Sequence, residues 1–197
     1  MPEKQKIASL YTPIARVAFQ YVFEKNTYND NPKYEITLCG LDPKDLGEMS
    51  QAVMECVRKK WGNNVPKNLR SPFRDGSEKE ELDGFKAGEI FITFRTNRKP
   101  GVVDAKGHFL SDPGEFYSGC WARVTCNPYA YDRRGNKGVA FGLNNVQKIR
   151  DDEPFVGGPS VEDEFPPENF QDATAYSGMD AVFGGQQPQT GGKPPIF

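Results

Sequence analysis

The stretch from Glu115 to Asp132, EFYSGCWARVTCNPYAYD, decides the fold. Its residues alternate in character, as in a β-strand with one buried face. The even positions are small and mostly apolar, as a barrel interior requires: Phe116, Ser118, Cys120, Ala122, Val124 and Cys126. The odd positions carry rings and polar groups, among them Tyr117, Trp121, Arg123, Tyr129 and Tyr131. The pattern predicts a long strand, bent at Pro128, with a core face and an open face.

The flanking sequence predicts further strands around this one. Alternating and β-branched residues favour strands in four segments: Ile7–Lys25 with a break near Pro13, Tyr34–Cys39, Glu89–Lys99 and Val139–Ile149. The segment VVDAKGHFL, residues 102–110, predicts a short hairpin turning at residues 104–107.

One helix is expected between the second and third of these strands. Asp42 is a suitable N-cap, Pro43 fits the first helical position, and Gly62 ends the pattern after Trp61. Its apolar stripe can pack on a sheet: Leu46, Met49, Val53, Cys56 and Val57. A long irregular loop, basic and then acidic, follows over residues 64–88. We therefore predict a mostly β, OB-fold-like barrel with one amphipathic helix and long loops.

Charge divides the chain into a basic body and an acidic tail. Residues 1–150 hold 24 Lys and Arg against 18 Asp and Glu, a charge of +6. Residues 151–197 hold one lysine against nine acids, a charge of −8, with seven glycines and seven prolines. Such a composition does not bury enough apolar surface to fold. We predict a globular domain over residues 1–153 and a disordered acidic tail over residues 154–197.

Several function classes lack support in this sequence. There is no P-loop, GxGxxG or GxSxG motif, and His108 is the single histidine. Cys39, Cys56, Cys120 and Cys126 form no CxxC pair, so we interpret them as reduced core thiols. No long apolar run predicts a membrane span or a signal peptide, and we expect a soluble intracellular protein.

We therefore expect no enzyme, cofactor or metal. The competing enzyme hypothesis is a magnesium-dependent nuclease, for which the least implausible ligands are Asp104, Asp112 and Glu115.

Rings and cations share the open face of two strands. In Glu89–Lys99, Ile90, Ile92 and Phe94 fall on one side and the opposite side carries rings and polar groups. Such a face suits single-stranded nucleic acid, in which each base can stack and each nucleotide carries a phosphate. The candidate stacking residues are Phe91, Tyr117, Trp121, Tyr129 and Tyr131. The candidate phosphate-binding residues are Arg95, Lys99, Arg123, Arg133, Arg134 and Lys137. Alternatively, these rings pack beneath the helix or the long loop.

Residues 119–154, GCWARVTCNPYAYDRRGNKGVAFGLNNVQKIRDDEP, resemble a family of bacteriophage single-stranded-DNA-binding proteins with an OB fold. The blocks NPYAYDRRGNKG, residues 127–138, and FGLNNVQKIRD, residues 141–151, carry most of the resemblance. It implies a protein without catalytic activity that coats single-stranded DNA without sequence preference. It also implies a role in phage replication, recombination or repair, in the cytoplasm of the infected bacterium.

The tail is similar in style to the acidic tails of bacterial and phage single-strand binders, which end in an aromatic residue. By this resemblance the tail competes with DNA, and its tip, Ile196 and Phe197, binds replication proteins. Lys193 near the tip departs from that pattern. A merely solubilising tail is the alternative for this segment. For the whole chain, the alternative is a phage structural or adaptor protein whose aromatic face binds another protein.

Overall fold

The computed structural model describes residues 10–28, 31–133 and 135–155. Its strands are β1 (Leu10–Tyr11), β2 (Ala15–Asn26), β3 (Lys33–Leu41), β4 (Arg74–Asp75), β5 (Ile90–Thr96), β6 (Gly101–Val103), β7 (Trp121–Arg133) and β8 (Asn136–Arg150). The α-helix, α1, spans Gly47–Trp61, and single turns of 3-10 helix span Pro43–Leu46, Gly76–Lys79 and Pro113–Glu115.

Five strands close into a barrel in the order β7-β2-β3-β5-β8, with β8 pairing back to β7. β5 and β8 are parallel, and the other neighbours in this ring are antiparallel. This closed arrangement matches the five-stranded Greek-key barrel of the OB fold, which confirms the predicted fold class. The short strands β1 and β6 extend the sheet beside β7 and β8 respectively.

The helix forms where the sequence predicts it. Lys44 N donates to Asp42 Oδ1 at 2.9 Å, which caps the 3-10 turn that leads into α1. Gly62, at φ 56°, ends α1 and donates to Arg58 O at 2.9 Å. Met49 of the apolar stripe is buried, and Val53 packs against the barrel core. The helix therefore covers the barrel, as its stripe predicts.

The alternation in β7 gives the predicted core face. Cys120, Ala122, Val124 and Cys126 are at most 1% exposed and join the main core, while Arg123 and the other odd residues are less buried. The strand is shorter than predicted, however, because it begins at Trp121 rather than Glu115. Gly119 has a φ of 107°, and Cys120 N donates to Tyr117 O at 3.3 Å, so the preceding residues turn instead of extending. The two register shifts in the β7–β8 pairing fall between Trp121 and Ala122 and between Thr125 and Cys126, not at Pro128.

A second, smaller core lies outside the barrel. It contains Ala18, Cys39, Phe85 and Phe91, because the loop after β4 folds back over the outer faces of β2, β3 and β5. Phe85 meets Phe91 edge to face, with ring centroids 5.2 Å apart. The long loop is thus a structural cover as well as a connection.

All four cysteines are free, and Cys39, Cys120 and Cys126 are buried as predicted. Cys56 on α1 is only partly buried, so its prediction as a core thiol is wrong. Burial raises the pKa of Cys39 and the pKa of Cys126 to about 12, and it also raises the pKa of Cys120. These three thiols therefore stay protonated at neutral pH.

The structure describes the chain to Phe155, two residues beyond the predicted boundary at 153. Phe155 packs against the second core, and its N–H donates to Ser118 O at 3.0 Å. The predictions for the rest of the tail, including Ile196 and Phe197, lie outside the described residues. Within the described part of the chain, no helix is long and apolar enough to cross a membrane.

Candidate nucleic-acid interface

A groove of about 590 Å³ runs over the outer faces of β5 and β8 and the end of β7. Thr93, Ala140 and Tyr131 belong to these strands, and the loop at residues 70–78 forms the opposite wall. Two backbone hydrogen bonds hold this wall in place, from Arg70 N to Lys137 O at 2.9 Å and from Val139 N to Arg70 O at 3.1 Å. The loop is thereby fixed to β8.

Gly138 permits this close approach of loop and strand. A Cβ at that position would lie 2.6 Å from Tyr131 Oη and 2.7 Å from Arg70 O. The loop can therefore sit against β8 only because position 138 has no side chain.

Three arginines line the groove: Arg70, Arg74 and Arg95. Arg95 forms an ion pair with Glu35, whose side chain is only 11% exposed, and Arg74 forms one with Glu78. Arg70 has no ion-pair partner among the acids of the described segments. The arrangement places cations beside the Tyr131 ring, which is a combination that binds phosphate and base together.

Of the predicted site residues, Arg95 and Tyr131 both line the groove, whereas Phe91 does not. The Phe91 ring is 1% exposed, and the Arg74 guanidinium lies 4.8 Å from its centroid. Its predicted place on the outer side of β5 is correct, since it packs with the second core outside the barrel. The expectation that its ring is open for stacking is wrong, because the folded-back loop and Phe85 cover it.

Tyr117 and Trp121 lie at the opposite end of β7 from the groove. Arg150 and Arg16 lie over the Trp121 ring, 4.3 and 5.6 Å from its centroid, and Trp121 Nε1 donates to Asp152 Oδ2 at 2.5 Å. The two rings therefore pack against residues 151–155, the segment that follows β8. We call these residues the root segment.

Hydrogen bonds tie the root segment to these rings. Tyr117 Oη donates to Asp151 Oδ1 at 2.8 Å, and burial together with this bond raises the pKa of Tyr117. The bond from Trp121 lowers the pKa of Asp152, and the bond from Lys148 is the largest cause that lowers the pKa of Asp151. Arg16 also reaches Asp152 at 3.1 Å.

The other predicted residues are distributed along the same barrel. Tyr129 is 44% exposed on the outer face of β7. Arg133 and Lys99 are exposed, and Lys137 Nζ lies 3.2 Å from Asp132 Oδ2 in the β7–β8 turn. Arg123 donates from Nε to Gln147 Oε1 at 2.9 Å. Arg134 lies outside the described residues.

Sequence analysis missed Arg70 and Arg74 as site residues. Their only signal was the basic first half of the long loop, and nothing local indicated that this half returns to β8.

The described residues do not form the magnesium site of the nuclease hypothesis. Within residues 10–28, 31–133 and 135–155, no group of three or more His, Cys, Asp or Glu side chains is placed to hold a metal ion. Asp104 instead accepts hydrogen bonds from the backbone N–H groups of Lys106 and His108, and Asp112 caps the turn at Gly114. The three candidate ligands are not brought together.

Known proteins similar to this chain include single-stranded-DNA-binding proteins of bacteriophages. A family model described as the ssDNA-binding protein of Enterobacter phage Enc34 matches residues 8–175. A protein named putative protein p50, from Acyrthosiphon pisum secondary endosymbiont phage 1, is 31% identical over 157 residues, covering 73% of this chain and 84% of that protein.

Two solved structures share the fold. The single-stranded DNA-binding protein from bacteriophage Enc34 in complex with ssDNA aligns with a TM-score of 0.64 and 22% identity, over 77% of this chain and 91% of that one. The single-stranded DNA-binding protein gp2.5 of bacteriophage T7 aligns with a TM-score of 0.57 and 14% identity, over 78% and 97%. The resemblance noted in the sequence is confirmed by the family match, which extends over most of the 197 residues. The chain belongs to the family of the Enterobacter phage Enc34 ssDNA-binding protein.

Proposed function

We propose that this protein binds single-stranded DNA without sequence preference and performs no catalysis. The observation that carries the proposal is the groove beside Tyr131, with its three arginines, on the outside of an OB barrel. OB folds bind oligonucleotides on the face of their second and third strands and in the loop between the last two. Here those elements are β3, β5 and the β7–β8 turn. Thr93 and Arg95 of β5 line the groove, and β3 provides Glu35, the ion-pair partner of Arg95.

The side chains of the groove suit binding that does not depend on the base sequence of the DNA. Tyr131 in the groove and the exposed Tyr129 two residues before it on β7 offer rings on which any base can stack. Arg70, Arg74 and Arg95 offer guanidinium groups to phosphates. The ion pairs with Glu35 and Glu78 hold Arg95 and Arg74 in place before DNA arrives. Phosphate contacts of this kind provide affinity without reading bases.

The biological role that fits this activity is the protection of single-stranded intermediates during phage DNA replication, recombination or repair in the host cytoplasm. The acidic tail over residues 154–197, which holds one lysine against six acids and so a charge of −5, competes with DNA for the basic body or recruits replication proteins. Family membership supports the binding activity, and the charge division of the sequence supports the role of the tail.

Arg70→Ala tests the groove, with Lys60→Ala as a matched control. Both variants remove one positive charge, and Lys60 is exposed in the last turn of α1, outside the groove. We expect Arg70→Ala to weaken binding of a thymidine oligomer about five-fold, or about 1 kcal/mol, since a charge-assisted contact is lost. The log–log salt slope should shrink by about 0.7, the value for one phosphate of a single strand.

Lys60→Ala should leave both quantities close to those of the wild type. Equal losses in the two variants would show that only net charge matters and would contradict the proposed groove. Binding that is insensitive to salt would instead favour the adaptor hypothesis, in which aromatic residues contact another protein.

A further inference from the structure

A second cavity, of about 370 Å³, lies on the outer face of the sheet away from the groove. Strand pairing places four residues side by side across it: Tyr11 on β1, Thr125 on β7, Asn145 on β8 and Gly101 on β6. Phe109 forms a bridge with Val103 at the far side. Aromatic rings thus flank a floor of small and polar residues, and we call this cavity the aromatic pocket.

Both flanking rings are unusually open to solvent. Phe109 is 78% exposed and Tyr11 is 57% exposed, although each lies beside a regular strand. The Phe109 ring lies beside Gly101, where an added Cβ would be 3.5 Å from a ring atom, and Tyr11 lies at the other end of the row, three inter-strand pairings away. Isolated exposed rings need no explanation, but two rings lining one cavity do.

The polar groups of the aromatic pocket are mainly donors. Arg123 uses Nε for Gln147, and its Cζ lies 5.5 Å from the centre of the Tyr11 ring. Asn145 Oδ1 already accepts from Gly101 N at 3.0 Å, which leaves its amide nitrogen to donate. Among the described residues, no acid lines the cavity and none forms an ion pair with Arg123. Such a pocket is complementary to a flat, anionic or acceptor-rich ligand.

The aromatic pocket and the groove are joined along β7. The outward side chains between Arg123 and Tyr131 are Thr125, Asn127 and Tyr129, and none of them is acidic. The facing positions on β8 include Ala140, Gly142 and Asn145, which are small or polar. Positions 123 and 131 are eight residues apart, which corresponds to about 26 Å of strand. A single nucleic-acid strand can follow this track without meeting a carboxylate on it.

We infer that the aromatic pocket is a second nucleotide-binding subsite, in which a base of single-stranded DNA stacks on Tyr11 or Phe109 while Arg123 holds an adjacent phosphate. The inference rests on the proposed function and extends it, since it assigns binding residues on β1 and on the β6 hairpin. A positive body, with a charge of +6 over residues 1–150, favours this polyanion over an apolar peptide as occupant.

The subsite can be tested with thymidine oligomers of 4 to 16 nucleotides. The shortest can fill only one end of the track, and the longest can reach both ends. The full-length wild type is compared with Phe109→Ala, Tyr11→Ala and the control Met54→Ala, which truncates a 60%-exposed apolar side chain on α1. We expect Phe109→Ala or Tyr11→Ala to weaken binding of the sixteen-nucleotide oligomer about 5- to 150-fold, the range for one stacked base. Phe109→Ala and Tyr11→Ala should bind the four-nucleotide oligomer as the wild type does. Met54→Ala should bind oligomers of every length as the wild type does.

A photocrosslinking experiment gives a second readout that does not depend on variants. A sixteen-nucleotide oligomer carrying 5-iododeoxyuridine should crosslink to Tyr11 or Phe109, as identified by mass spectrometry of the digested complex. If the wild type binds DNA but neither variant loses affinity and neither ring crosslinks, the subsite is wrong and the groove remains. Equal losses with short and long oligomers would also overturn a separate subsite. A wild type that binds no oligomer would instead overturn the proposed function itself.

Discussion

Gly138→Ala is a small change with a large expected effect on the groove. The added methyl group would lie 2.6 Å from Tyr131 Oη, 2.7 Å from Arg70 O and 2.9 Å from Arg70 Cβ. Two of these atoms belong to the loop wall, and one is a backbone oxygen that cannot rotate away. Relief requires the loop to move off β8, which strains or breaks its two backbone hydrogen bonds, each with a net value of about 1 kcal/mol. Overpacking of this kind costs about 1–3 kcal/mol, so we expect a loss of that size in the free energy of unfolding.

Gly142→Ala is the matched control on the same strand and the same outer face. A Cβ at Gly142 would lie 3.6 Å from Asn127 O and 3.9 Å from the Tyr129 ring, which is ordinary contact. Urea unfolding of both variants compares their stability. The anisotropy of a labelled thymidine oligomer, measured for Gly138→Ala against the wild type because Gly142 borders the proposed DNA track, shows whether a displaced wall also weakens DNA binding. If Gly138→Ala is as stable as Gly142→Ala, the loop is not held against β8 as described, and the argument for a fixed groove wall fails.

Two further predictions concern acid and thiol chemistry. Hydrogen bonding from Trp121 lowers the pKa of Asp152 in the folded state. The Asp152 carboxylate therefore stabilises the fold above the unfolded pKa of about 3.9. This contribution is lost as the pH falls through the lower folded pKa. Urea unfolding at pH 6 and pH 3 should therefore show a larger acid loss for the wild type than for Asp152→Asn, and equal losses would contradict the contact. Iodoacetamide at pH 8 should label Cys56 well before Cys39 or Cys126, since burial raises the pKa of both latter thiols to about 12. Mass spectrometry showing comparable early labelling of Cys39 or Cys126 would refute their burial.

Local sequence signals were sufficient for the elements that depend on local physics. Asp42, Pro43 and Gly62 predicted both ends of the helical segment because capping involves only neighbouring residues. The alternation in β7 predicted its core face because side chains of a strand point to opposite sides in turn. The start of β7 was misplaced because the turn at Gly119 depends on a positive φ, which alternation does not reveal.

The site was only partly predictable because its cover comes from distant parts of the chain. The alternation of side chains along β5 placed Phe91 on the outer side of the strand, but it carried no information about the loop that buries the ring. Trp121 is likewise held by Asp152, 31 residues away in sequence. Tyr11 and Phe109 belong to a two-residue strand and a hairpin arm, which are too short for a periodic signal. Only the pairing of β1, β7, β8 and β6 brings them to one cavity.

The most direct test of the account is the binding of full-length protein to a fluorescently labelled thymidine oligomer, first single-stranded and then paired with its complement, across a salt series. The groove predicts tight binding of the single strand and much weaker binding of the duplex. It also predicts a log–log salt slope of about −2 or steeper, since three arginines line the groove and each neutralised phosphate contributes about −0.7. Equal affinity for both forms, or a slope near zero, would contradict the assignment of this face to single-stranded DNA.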